Sequence, residues 1–190
     1  MKRIVFPASL LLSLAGCSSK ETPAPALQLP AITQSGQNTA GCKVDGQVWV
    51  PVGGGLFAPK PMSVSLQRSV TGLQLSVLLD RDPLTDDGQS NPRTQIKLYV
   101  PNVTAPATIA LDQYADPRRT TSNPAYAAFI YTAPTPDQQL FTGPNSTGQL
   151  IITRLDTVAR VVAGSFQFRA QEPAGPATVN ITEGRFDLTY

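Results

Sequence analysis

The sequence contains no histidine. Imidazole is the base of Ser-His-Asp and Cys-His catalysis, a common zinc ligand and the side chain that titrates nearest neutral pH. Those chemistries are excluded; carboxylate and Ser-Lys chemistry are not. Only two cysteines occur, Cys17 and Cys42. Charged residues make up 15% of the chain, against roughly 25% in an ordinary globular domain. No apolar run reaches the roughly 20 residues that a membrane-spanning helix needs. No segment of helical length repeats its apolar residues at a 3.6 period. A basic stripe of the kind that neutralises nucleic-acid phosphates is also missing, and Arg118 and Arg119 stand as an isolated pair. No nucleic-acid partner is expected, and no motif calls for a cofactor.

Apolar residues are plentiful at 41%, with 18 Pro and 14 Gly among the 190 residues. That is enough for one core, built from short elements separated by many turns. The chain starts MKRIVFPASLLLSLAGC. Lys2 and Arg3 precede a short apolar stretch, Ile4 to Leu14, which has the form of a secretory signal peptide. Leu14-Ala15-Gly16-Cys17 resembles the lipobox of bacterial lipoproteins. The resemblance implies cleavage after residue 16 and a diacylglycerol thioether on Cys17, with a further acyl chain on the new amine. Each buried CH₂ contributes about 0.8 kcal/mol, so two or more chains anchor a protein stably where one does not. Membrane attachment through lipid on Cys17 is the expectation. Ser18 in place of Asp favours the outer membrane and leaves both the periplasmic face and the cell surface open. Without Lys2 and Arg3, the remaining 13 basic residues match the 13 acidic ones, so the mature chain has no formal net charge.

Residues 17–40 read as the lipidated cysteine and a flexible tether. The stretch is rich in Pro, Ala, Ser, Thr and Gln and shows no sustained periodicity. Extended at about 3.1 Å per residue, 20 such residues reach roughly 60 Å. The alternative is that Leu27, Leu29 and Ile32 dock on the domain as a first strand.

Residues 41–190 read as one all-β domain. Leu73, Leu75, Val77 and Leu79 alternate with the residues between them, as do Ile96, Leu98 and Val100. Val162, Gly164, Phe166 and Phe168 form a third set, Val179 and Ile181 a fourth, and Phe186, Leu188 and Tyr190 a fifth. Alternation puts one set on a buried face and the other toward solvent. Further strands are expected at 46–50, 63–68, 107–111, 126–132 and 149–155. Turn signals such as Thr71-Gly72, Asp86-Asp87-Gly88 and Gly143-Pro144-Asn145 separate them. Nine or ten short strands at this spacing predict an antiparallel β-sandwich, with a lipocalin-like antiparallel barrel as the alternative. Gly184 predicts a bulge or bend into the last strand.

Several segments resemble uncharacterised Bacteroidota lipoproteins whose domain has no known function. They are Leu29 to Gly36, Asn38-Thr39, Gly41-Cys42 and Val44 to Pro51 near the start. Near the end they are Gly148 to Asp156, Gly164 to Phe168 and Ile181 to Asp187. The match covers the two ends and leaves roughly 55–145 weakly matched. It implies an all-β domain in the cell envelope and supplies no catalytic residue. Asp156-Thr157-Val158 also resembles the acceptor of Bacteroidota periplasmic O-glycosylation.

Four clusters deserve a structural test. Cys42 reads as a small buried residue, or as a reactive thiol if Lys43 lowers its pKa. Asp80, Asp82, Asp86 and Asp87 form an oxygen-rich loop of the kind that binds Ca²⁺, without EF-hand order; turn geometry explains the same residues. Asp80, Asp112, Asp116, Asp156, Glu183 and Asp187 are available for carboxylate-based hydrolysis of an envelope polysaccharide, yet no spacing selects a pair. Tyr114, Tyr126 and Tyr131, with Phe129, border a polar stretch and form a candidate binding face for a protein or glycan; core packing is the competing reading. Trp49 is expected in the core. The sequence thus points to a non-catalytic binding or structural domain before an enzyme.

Overall fold

The computed structural model describes residues 27–53, 60–69, 72–82, 93–116, 123–132 and 137–190. The signal peptide, Cys17, Asp86, Asp87 and the loop around them lie outside the described residues. Among the described residues there are eleven strands: β1 (Thr39–Val44), β2 (Gln47–Trp49), β3 (Met62–Ser69), β4 (Gly72–Arg81), β5 (Thr94–Val103), β6 (Ala107–Leu111), β7 (Tyr126–Tyr131), β8 (Gln138–Phe141), β9 (Gly148–Asp156), β10 (Val161–Gln171) and β11 (Thr178–Thr189). No helix occurs among the described residues. The protein is an all-β antiparallel sandwich, as the alternation predicts.

The strand order is β2-β1-β11-β10-β8-β7-β5-β4-β3, with β9 also on β10 and β6 on β9. The sheet forks at β10. One edge of β10 pairs with β11 throughout, while the other pairs with β9 over Val161 to Phe168 and with β8 only at Gln171–Phe141. The fork separates a layer β2-β1-β11-β10-β9-β6 from a layer β8-β7-β5-β4-β3. A second seam joins them where Val52 bridges Arg81, its N–H donating to the Asp80 carbonyl at 3.1 Å. The buried Trp49 indole N–H donates to Thr94 Oγ1 at 2.9 Å beside that seam. Two seams between two layers explain why sandwich and barrel are close alternatives in the sequence.

One apolar core lies between the layers. Val77, Leu79, Ile96, Leu98, Phe129 and Leu140 face Leu150, Ile152, Val162, Phe166, Ile181, Phe186 and Leu188. The last strand shows how this is achieved. Its buried apolar residues fall on odd positions at Val179 and Ile181 and on even positions at Phe186 and Leu188. A regular strand would turn one pair outward. One extra residue at the bulge corrects the phase. Phe166 pairs with Gly184 and Phe168 with Ile181, and Glu183 takes φ 53°. A side chain at Gly184 would come within 2.4 Å of the Phe166 ring, so the bulge needs glycine there. The two runs at 179–181 and 186–190 are therefore one strand. The strands not read from the sequence are β1, partly assigned to the tether, and β8.

Residues 29–38, read from the sequence as part of a flexible tether, are docked on the domain. From Leu29 onward the chain forms a strap over the outer face of β1, β11, β10 and β9. It contributes few apolar contacts: Ile32 is 70% exposed. It is no strand, and Asp187 holds it. Thr33 Oγ1 donates to Asp187 Oδ2 at 2.7 Å, and the backbone N–H groups of Ser35, Gly36 and Gln37 donate to the same carboxylate at 2.9, 2.7 and 3.1 Å. Arg185 donates to the Pro30 carbonyl, and Asn38 Oδ1 accepts from Thr189 N–H and Oγ1. Gly36 adopts φ 77°, and a Cβ there would lie 2.8 Å from Thr189 Cγ2. Composition concealed this attachment because it is polar and long-range.

Asp187 is 1% exposed. Burial pushes its pKa up, but the Thr33 hydroxyl and the three backbone donors outweigh burial and hold it below the usual carboxylate range. An unfolded aspartate titrates near about 3.9. Stability from the clasp is therefore complete above that value and is lost as pH falls through the lower folded pKa. Asp187→Asn should cost roughly 2–4 kcal/mol at pH 7, read from urea unfolding, because it turns an amide N–H₂ toward backbone donors. The difference from the parent protein should shrink below about pH 4; a difference that stays constant there would contradict an ionised clasp.

Candidate functional site

Beside the exposed Tyr114 lies a cleft of about 430 Å³ at the end of β10. Three segments build it: the residues after β6, strand β8 and the turn after β10. Tyr114 stands at its mouth, 71% exposed. Asp116, Asp137, Gln139, Phe141 and Glu172 line it, and among the described lining residues there is no Lys or Arg. A groove of about 240 Å³ continues it along Thr142 to Ser146 and Gln171.

Each wall is held by a local device. Asp116 N–H donates to Asn123 Oδ1 at 2.9 Å. Ala115 packs with Tyr126 and Ala128 in a small cluster outside the main core. The Tyr126 ring lies 5.2 Å from Tyr99 and 6.3 Å, edge-on, from Phe141. The turn after β10 closes through Glu172 N–H to the Ala177 carbonyl at 2.9 Å. Gln138 Nε2 donates to Glu172 Oε2 at 3.2 Å and so ties β8 to that turn. The floor is aromatic and the rim is acidic. Such a rim accepts hydrogen bonds from hydroxyl, ammonium or guanidinium groups, while the Tyr114 ring offers an apolar face.

The structure divides the predicted tyrosine face. Tyr114 lines the cleft. Tyr126 is only 2% exposed and supports the cleft from behind. Tyr131 packs edge-on against Phe129 at 5.0 Å, alongside the main core. Burial, and then the charge of Asp45, raises its pKa. The three rings do not form one surface, because Tyr126 and Tyr131 lie at opposite ends of one strand.

The acidic loop also changes meaning. Asp80 is 8% exposed, and its carboxylate is held by Arg93 through Nε at 3.1 Å and through Nη2. A buried carboxylate in a two-point ion pair serves the fold. Asp82 N–H donates to the Val52 carbonyl at 3.0 Å, at the second seam. Among the described residues, no group of three or more His, Cys, Asp or Glu side chains is placed to hold a metal ion.

Of the other carboxylates, Glu183 pairs with Lys43 at 2.6 Å and Asp187 holds the strap. Asp156 pairs with Arg154 at 2.8 Å and accepts from Val158 and Ala159 N–H groups in the turn after β9. Thr157 is exposed in that turn. Asp116 alone of the six carboxylates weighed lines the cleft. Asp137 and Glu172 join it and were not singled out from sequence, because each sits in a Pro-rich turn with no partner at fixed spacing.

Cys42 is fully buried against Trp49, its partner in the β1–β2 pair. Burial pushes its thiol up to about 12. Lys43 does not activate it, since that ammonium is engaged by Glu183. No family model matches the chain, and no curated protein or solved structure matches it.

At pH 8 a thiol with so high a pKa is ionised in about one molecule in ten thousand. In a Cys17→Ser chain, Ellman's reagent should leave the native protein unlabelled over the time in which the urea-unfolded protein reacts fully. Prompt native labelling would contradict the buried, unactivated thiol.

Proposed function

We propose that this protein is a lipid-anchored lipoprotein of the outer membrane whose β-domain binds an envelope partner, a protein or a glycan, without catalysing a reaction. The observation that carries the reading is the cleft at Tyr114. A large aromatic side chain 71% exposed beside three carboxylates has no role in the core and suits recognition. The leader ending Leu14-Ala15-Gly16-Cys17 supports the anchor. The terminal segments that resemble Bacteroidota lipoproteins meet in space, Thr33, Ser35 and Gly36 on Asp187, Gly41 opposite Arg185 and Val44 opposite Ile181. That meeting supports a shared lipoprotein domain.

Mass spectrometry of the native protein should find an N-terminal Cys17 carrying acyl chains, and an unmodified Cys17 would remove the anchor. Pull-down from detergent-extracted envelopes should enrich a partner with the parent protein. Tyr114→Ala should weaken that capture roughly tenfold while leaving the melting temperature unchanged, the loss expected for an aromatic anchor at an interface. Equal capture by both proteins would place the partner elsewhere.

A second reading follows from Asp116, Asp137 and Glu172 lining one cleft: a carboxylate-based hydrolase of envelope polysaccharide. It requires release of reducing ends by the parent protein and loss of that release in Glu172→Gln. Binding without turnover leaves the first reading in place.

A further inference from the structure

The strap and the exposed apolar side chains share one part of the molecule. Leu27, Ile32, Tyr114 and Val158 are the large apolar side chains most exposed among the described residues, at 47%, 70%, 71% and 94%. Ile32 is on the strap, and Leu27 lies two residues before the strap begins. Val158 is in the turn after β9, and the strap touches that strand through Arg154, which donates to the Gln34 carbonyl. Tyr114 is the exception, at the cleft.

These positions are ordered along β10. The turn carrying Val158 precedes its first residue, Val161; the strap lies near Gly164 and Ser165; the cleft lies past its last residue, at Glu172. Seven residues separate Ser165 from Glu172, roughly 24 Å at the rise of a strand. Val158 is farther still from the cleft.

The covalent reach of the anchor is short. Ten peptide units join Cys17 to Leu27, at most roughly 35 Å when fully extended. A compact domain of this size is about 40 Å across. The tether therefore keeps Leu27 within that covalent reach of the bilayer, and the part of the domain nearest Leu27 is held closest to it. Isolated apolar side chains at that part gain by entering the headgroup boundary, where amphipathic surfaces bury about 5–10 Å deep.

We infer that the strap-bearing face rests on the lipid surface, with Ile32 and Val158 in the headgroup region, while the Tyr114 cleft stands away from it. This orientation rests on the acyl anchor at Cys17 proposed above. It makes the cleft accessible to partners that are not embedded in the bilayer.

The test uses the full acylated protein in phosphatidylethanolamine–phosphatidylglycerol vesicles with brominated acyl chains. A single environment-sensitive fluorophore is placed at Ile32→Cys, Val158→Cys or Tyr114→Cys. Cys17 is blocked by its lipid and Cys42 is buried, so neither competes for the label. Quenching at positions 32 and 158 should exceed that at position 114 by about twofold or more. If acylated protein stays on the vesicles but position 114 is quenched as strongly, the orientation is overturned and the anchor stands. If the protein carries no acyl chain and leaves the vesicles, the anchor fails and the orientation with it.

Discussion

A buried carboxylate with no cationic partner among the described residues joins the segment before β1 to the last strand. Asp187 is satisfied by one hydroxyl and three backbone N–H groups, all from residues 33–37. The interaction orders a polar segment that has little apolar surface to bury. It also covers the outer face of the sheet, where Val161 and Ala163 are buried although they face away from the core. The strap then delivers the chain to β1, which pairs with β11 from Thr39 opposite Asp187. Without the clasp, β1 would begin from an unfixed end and that outer face would be open to water.

The bulge at Glu183 is the second constraint. It lets one strand present two apolar sets of opposite phase to a single core, and it places Phe186 inside with Asp187 outside, under the strap. Register and clasp are thus coupled: a regular strand in place of the bulge would turn Asp187 inward and Phe186 outward. Gly184 and Gly36 are required at these two places by close approach and positive φ respectively. The Tyr114 cleft lies at the far end of the same two long strands. Its walls are end segments, which vary in composition without disturbing the core.

Much of the fold was legible in the residues. The alternation of Leu75, Val77 and Leu79, and of Ile96, Leu98 and Val100, correctly identified inward faces. Gly184 correctly marked the bulge. Strand β8 was missed because Gln138-Gln139-Leu140-Phe141 is too short to alternate visibly, and β1 because it follows a segment with the composition of a linker. Of the candidate face, Tyr114 was placed at the cleft, but Tyr126 and Tyr131 were drawn into packing. Asp80 was read with Asp82, Asp86 and Asp87 as a cation loop or a turn; its carboxylate is held by Arg93, thirteen positions later.

Sequence by itself determined the all-β class, the inward faces of the strands and the chemistries that a chain without histidine does not perform. These are local properties, since alternation along one strand and the presence of a residue type need no knowledge of neighbours. Tertiary structure alone decided that Asp187 would meet residues about 150 positions away. It also decided that Asp116, Asp137 and Glu172 would line one cleft. Those groupings depend on strand order and on where the sheet forks, and pairing partners so distant leave no periodic trace in the residues that make them.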